Sequence, residues 1–131
     1  MTIEKTSFSA ETDMLASAKD RILGSADWFV ADPVSALKLR YWIDSRYIFS
    51  IIHDGAEIIP WFALEKNKCQ PLPAMRQVID VMRTYDSWHL AFWFDAANSY
   101  LDGRRPQNVI AIEPEKVLAA ARHEMSWVCN E

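Results

Sequence analysis

The side chains best suited to bond-making or metal ligation are three histidines, His53, His89 and His123, two cysteines, Cys69 and Cys129, and two acids flanking an aromatic run, Asp86 and Asp95. Metal sites draw on such groups at short spacing, His-x-x-x-His or Cys-x-x-Cys, and none of these residues has a partner so placed. Each histidine stands alone among apolar or mixed neighbours, the setting of a structural or surface imidazole. The cysteines are too far apart in sequence to suggest a zinc ribbon or a disulfide framework, so free thiols are expected. Serine nucleophiles need an elbow such as Gly-x-Ser-x-Gly, and phosphate loops need several clustered glycines. With three glycines in all, the chain has neither. Asp86 and Asp95 can in principle act as an acid–base pair, but a capping acid and a polar edge residue explain them more plainly. The expectation is a protein that is not an enzyme and uses no cofactor or metal.

Binding chemistry is better represented. Arg104 and Arg105 follow Gly103 and precede Pro106, and exposed guanidinium forks grip carboxylates of a partner bidentately. The plainer alternative has Asn98 closing this turn through its side chain while one arginine caps helix-end carbonyls. That structural role is favoured for Asn98 and Gly103, and the arginines are left open. A second basic set, Lys38, Arg40 and Arg46, lies on a helix followed by an Asp-Gly hairpin, an arrangement in which a helix reads base edges and a wing reaches phosphates. A solvated helix face packed on a structural hairpin is an equal alternative. Six tryptophans suggest a third possibility, a pocket for a small ligand lined by Trp61, Trp88, Phe92 and Trp93, although most tryptophans of a short chain belong to its core.

These residues require elements to hold them. Met14, Leu15, Ala18 and Ile22 recur at helical spacing over 11–23, with Gly24 as a stop. The segment 25–33 reads as capping residues and a Pro that opens the next helix, 34–45, with Leu37, Tyr41 and Trp42 inward. The period then changes. Residues 47–53 and 56–62 are apolar, β-branched and aromatic around Asp54-Gly55, which predicts a two-residue hairpin; Pro60 must end its strand or lie at an edge. Pro73 opens a helix striped with Met75, Val78, Ile79 and Met82. Ser87 is placed to cap an aromatic helix through Trp88, Leu90, Ala91, Phe92, Trp93 and Phe94, apolar nearly all round and so expected at the buried centre. Pro106 starts a short piece with Val109 and Ile110, and Pro114 opens a last helix with Val117, Leu118, Ala121 and Met125 inward.

At 131 residues, half of them apolar, the chain suits one domain with one core. The fold class is mainly α (α+β), a small helical domain with one β-hairpin. Within it, 25–65 forms an incomplete winged-helix-like part and 71–125 a helical part. A net charge of −4 removes broad attraction to phosphate backbones, so nucleic-acid binding needs a local basic face. No apolar run is long enough to cross a bilayer and the polar start lacks a signal peptide's apolar segment, so the chain reads as cytoplasmic and without membrane contact. A homodimer is expected from an aromatic content larger than so small a core needs.

Trp93-Phe94, Asn98, Leu101, Gly103-Arg104-Arg105-Pro106, Asn108 and Ile110, ending in Val117-Leu118-Ala119-Ala120-Ala121-Arg122, together resemble the C-terminal toxin-binding domain of the Xre/MbcA/ParS antitoxins. The stretch from Tyr47 through Asp54-Gly55 to Phe62, then Pro71-Leu72-Pro73, is similar to the region in this wider group where an excisionase-like helix-turn-helix with a hairpin precedes that domain. Ala97 and Asp102 replace residues that are often Pro and Gly there, and 28–41 leaves little room for a complete helix-turn-helix. The resemblance implies a bacterial type II antitoxin-like protein that neutralises a toxin of the NAD-degrading RES class and binds its own promoter DNA as a dimer. It further implies that Asn98, Leu101, Gly103, Arg104, Arg105 and Pro106 build the toxin-binding fold and that the tail after Arg122 reaches the toxin.

Overall fold

The structure, a computed structural model, describes residues 2–66 and 70–129, with side chains for 14–66 and 70–127. Cys69 and the side chain of Cys129 therefore lie outside the described residues. Helix α1 (Thr2–Ser25) passes straight through Gly24, so the expected stop comes one residue later. Ser25 ends it by turning its hydroxyl onto the Ile22 carbonyl at 3.1 Å. Among its described side chains Ile22 is buried, while Met14 and Leu15, expected inward, are exposed.

Beyond α1 the chain forms a strand where a capping loop was expected. Trp28–Val30 (β1) joins Ile51–His53 (β2) and Ala56–Pro60 (β3) in an antiparallel sheet ordered β1-β3-β2. The hairpin is thus extended to three strands, since Trp28, Phe29 and Val30 are aromatic or β-branched and suit a pleated, half-buried surface. Asp54 and Gly55 turn β2 into β3 with φ of 51° and 78°, both positive as a type I′ turn requires. Pro60 is the last residue of the central strand, opposite Trp28, so its missing donor falls where the ladder ends. Residues 47–50 do not join β2. Arg46 adopts a left-handed φ of 65°, and Tyr47 donates its backbone N–H to the Trp42 carbonyl at 2.8 Å, folding the chain back under α2.

Helix α2 (Ala36–Asp44) corrects the predicted inner face. Leu39 is 4% exposed, whereas Leu37 is 86% exposed and Tyr41 also faces solvent. Only Trp42 among the three residues expected inward packs against the core, half-buried beside Ile43. The helix begins later than Pro33 suggests, because Asp32 first accepts the Ser35 N–H at 2.8 Å and closes a turn.

The second half follows the sequence closely. Helix α3 (Pro73–Val81) starts on its proline and buries Met75, Val78 and Ile79, with Met82 just beyond. Helix α4 (Ser87–Asp95) is capped by Asp86, not Ser87: the Asp86 carboxylate accepts the His89 N–H at 2.7 Å. Phe94 lies fully buried at the centre, 4.9 Å from Phe62 and 5.9 Å from Phe49 between ring centroids. A 3₁₀ turn (Ser99–Leu101), helix α5 (Pro106–Val109) and helix α6 (Pro114–Cys129) complete the chain. Val117, Ala121 and Met125 of α6 are buried and Leu118 is half-buried. One hydrophobic cluster draws on Ile22, Leu39, the sheet and all of α3 to α6, so the two parts distinguished in the sequence share a core. The result is a small α+β domain, mostly helical, and among the described residues no helix is long and apolar enough to cross a membrane.

Candidate functional site

Two helices present matching faces to one cleft. His89, Phe92, Trp93 and Ala96 on and just after α4, and Ala120, His123, Glu124 and Trp127 on α6, follow the same i, i+3, i+4, i+7 rhythm, which puts each set on one side of its helix. With Tyr85 and the turn 97–99 they line an open cleft of about 480 Å³. The Tyr85 hydroxyl donates to Glu124 Oε2 at 2.5 Å, and its ring stacks on His89 with centroids 3.7 Å apart. Partial burial and the adjacent Glu124 carboxylate push the Tyr85 phenol up to about 12, so it remains a protonated donor at neutral pH. Trp127 Nε1 donates to His123 Nε2 at 3.1 Å. Trp93 Nε1 is buried on this wall with no hydrogen-bond partner.

The Asn98–Pro106 corner borders the cleft. Asn98 Oδ1 accepts the Tyr100 N–H at 2.9 Å, while the Asn98 backbone exchanges bonds with Arg104 and Gly103. Asp102 and Gly103 both take left-handed φ, 60° and 84°, which closes the turn tightly enough for Asn98 and Arg104 to bridge. Arg104 places Nε on the Leu101 carbonyl at 3.0 Å and a terminal nitrogen on Glu113 at 2.6 Å. The Glu113 carboxyl is held below its ordinary range first by Arg104 and then by Lys116. Arg105 lies 3.6 Å from Asp95. Asn98 and Gly103 thus take the structural role favoured for them, and both arginines have partners within the chain.

Asp95 is not the polar edge residue expected from the sequence. It is 5% exposed, accepts the Ser25 hydroxyl at 2.5 Å, and has Arg21 at 3.8 Å on its other oxygen, while Gln107 donates to the Ser25 carbonyl at 3.3 Å. This cluster fastens the end of α1 to α4 and α5. Asp86, capping the opposite end of α4, takes no part in it, so the two acids form no acid–base pair.

The basic set on α2 is not a continuous face. Lys38 and Arg40 are two residues apart on one helix and point in different directions. The Lys38 ammonium sits 5.2 Å from the Trp42 ring centre. Arg40 forks onto Glu57 at 2.8 and 3.3 Å and also contacts Asp44 at 3.1 Å, and the hydrogen bond to Glu57 chiefly raises its pKa further. Arg46 is exposed at the left-handed turn. The four aromatics proposed as one pocket are divided as well. Phe92 and Trp93 line the α4–α6 cleft, Trp61 stacks on Phe29 at 4.1 Å beside β1, and Trp88 lies under the Lys19 ammonium. Trp61 is drawn away because it follows Pro60 on a 3₁₀ turn tied by its N–H to the Asp27 carbonyl.

The residues that sequence reasoning left apart are His89, His123, Tyr85 and Glu124. The signal was the matching helical rhythm of 89–96 and 120–127, legible only once α4 and α6 are known to face each other. Among the described residues no group of three His, Cys, Asp or Glu side chains gathers to hold a metal ion. Comparison with protein families, curated proteins and solved structures finds no match to this chain.

Proposed function

We propose that the chain is a cytoplasmic, antitoxin-like binding protein, without bond-making chemistry of its own, which neutralises a partner toxin of the RES class. The observation that carries this reading is the Asn98–Pro106 corner. The segment that resembles the toxin-binding domain is the one closed here by two left-handed positions, Gly103 and the departing Asp102, by one backbone bridge and by two arginine contacts into a braced turn. Such a corner has its polar groups occupied internally and serves to hold a surface in one shape. The surface beside it is aromatic and exposed: Tyr100 on the turn and Trp127 on α6 flank His123, with centroids 5.1 and 6.2 Å from its ring, and Trp127 is 68% exposed. Aromatic side chains held on a rigid frame are the usual anchors of a protein interface.

Promoter binding is the lesser part of the reading, because Arg40 is occupied by Glu57 and shares no face with Lys38. Self-association into a dimer has its support in Val34, Leu37 and Tyr41, an outward apolar row before and along α2. The test of the proposal is to inspect the genes beside this chain for a RES-class toxin and to co-express the two. Growth is expected to be restored by the native chain and lost again with Tyr100→Ala/Trp127→Ala. A chromosomal neighbourhood with no such toxin, or rescue unchanged by the double substitution, overturns it.

A further inference from the structure

Beyond partner binding, we infer that the α4–α6 cleft is a binding site for a small alkylammonium cation. Its walls are Tyr85, Phe92, Trp93, His123 and Trp127, and ring faces carry the negative side of the aromatic quadrupole. Among the described residues no lysine or arginine lines it, and its one carboxylate is Glu124. The bond from the Tyr85 hydroxyl orients that carboxylate without neutralising it, since the donor is an uncharged phenol. The bond from Trp127 Nε1 orients the His123 ring, which adds a further aromatic wall. At about 480 Å³ the cleft has room for a trialkylated nitrogen and a short substituent.

Choline has this chemistry and is the probe. Titrated into the full chain and followed by calorimetry and by tryptophan fluorescence, it is expected to bind one site saturably. The neutral isostere of choline, with carbon in place of the nitrogen, is expected to bind at least about tenfold more weakly. Glu124→Gln and Trp127→Ala should each weaken choline by about five- to tenfold, and Trp61→Phe, on another face, should not change it. Trp127 is largely exposed, so its replacement leaves the core intact. Absence of saturable binding, equal binding of the isostere, or choline binding indifferent to both Glu124→Gln and Trp127→Ala overturns the inference. None of these results bears on toxin neutralisation, which is read by growth with a different partner.

Discussion

Replacing Asp95 with alanine removes the acceptor that fastens α1 to the rest of the domain. The Ser25 hydroxyl donates to this buried carboxylate at 2.5 Å, a bond to a charged group of the kind that contributes about 1.5–3 kcal/mol. Arg21 and Arg105 stand at 3.8 and 3.6 Å with their own side chains substantially exposed, so each adds at most about 0.5 kcal/mol. Removing the carboxylate also recovers part of its cost of burial, which offsets the two ion pairs. The net expectation is a loss of about 2 kcal/mol, which for a domain of this size lowers the urea midpoint by roughly 1 M at unchanged slope. Asp95→Asn keeps an acceptor and should lose about half as much. In a double-mutant cycle with Ser25→Ala, about 1–2 kcal/mol should appear as coupling. Hydrogen exchange should show the end of α1 losing protection in Asp95→Ala before α3 or α6 does. A midpoint unchanged within error, or a coupling near zero, would refute the claim that this cluster joins α1 to α4.

Leu39→Ala should destabilise the domain by about 2–5 kcal/mol, while Leu37→Ala, two residues away on the same helix, should stay within about 0.5 kcal/mol in the same denaturation assay run at concentrations dilute enough to keep the chain monomeric. Tyr85 should titrate near 12 by phenolate absorbance, and Tyr85→Phe should delete that step. Its folded pKa lies above the ordinary value of 10.0, so the folded state holds the extra proton between the two and stability should fall as pH climbs through that window. Thermal melts that show a smaller alkaline loss in Tyr85→Phe bear this out, and identical profiles count against it.

How much of this was legible before folding depended on the range of the interactions. The Asp54-Gly55 turn, the prolines that open α3, α5 and α6, and the stripes Met75–Met82 and Val117–Met125 are set by neighbours a few residues away, and all appear where expected. Where distant residues decide, the reading failed. Trp28–Val30 became a strand because β3 offered it an edge, a partner some thirty positions on in the register Trp28↔Pro60. Leu37 and Tyr41 turned outward because α2 docks through Leu39 and Trp42, a rotation that helical periodicity alone does not specify. Asp95 looked like an edge acid because its partner Ser25 lies on α1. The same holds for the cleft: His89 and His123 are solitary in the chain and share a cavity only because α4 and α6 both line it. The corner was the exception, since Asn98, Gly103 and Arg104 satisfy one another within seven residues.

The proposal that this chain presents a braced aromatic surface to a toxin is tested most directly by NAD loss in a mixture of a purified RES-class toxin and this protein. The account predicts that NAD hydrolysis falls in proportion to added chain and stops near stoichiometric amounts, and that Tyr100→Ala/Trp127→Ala shifts this endpoint to large excess. Undiminished NAD loss at saturating chain would contradict it.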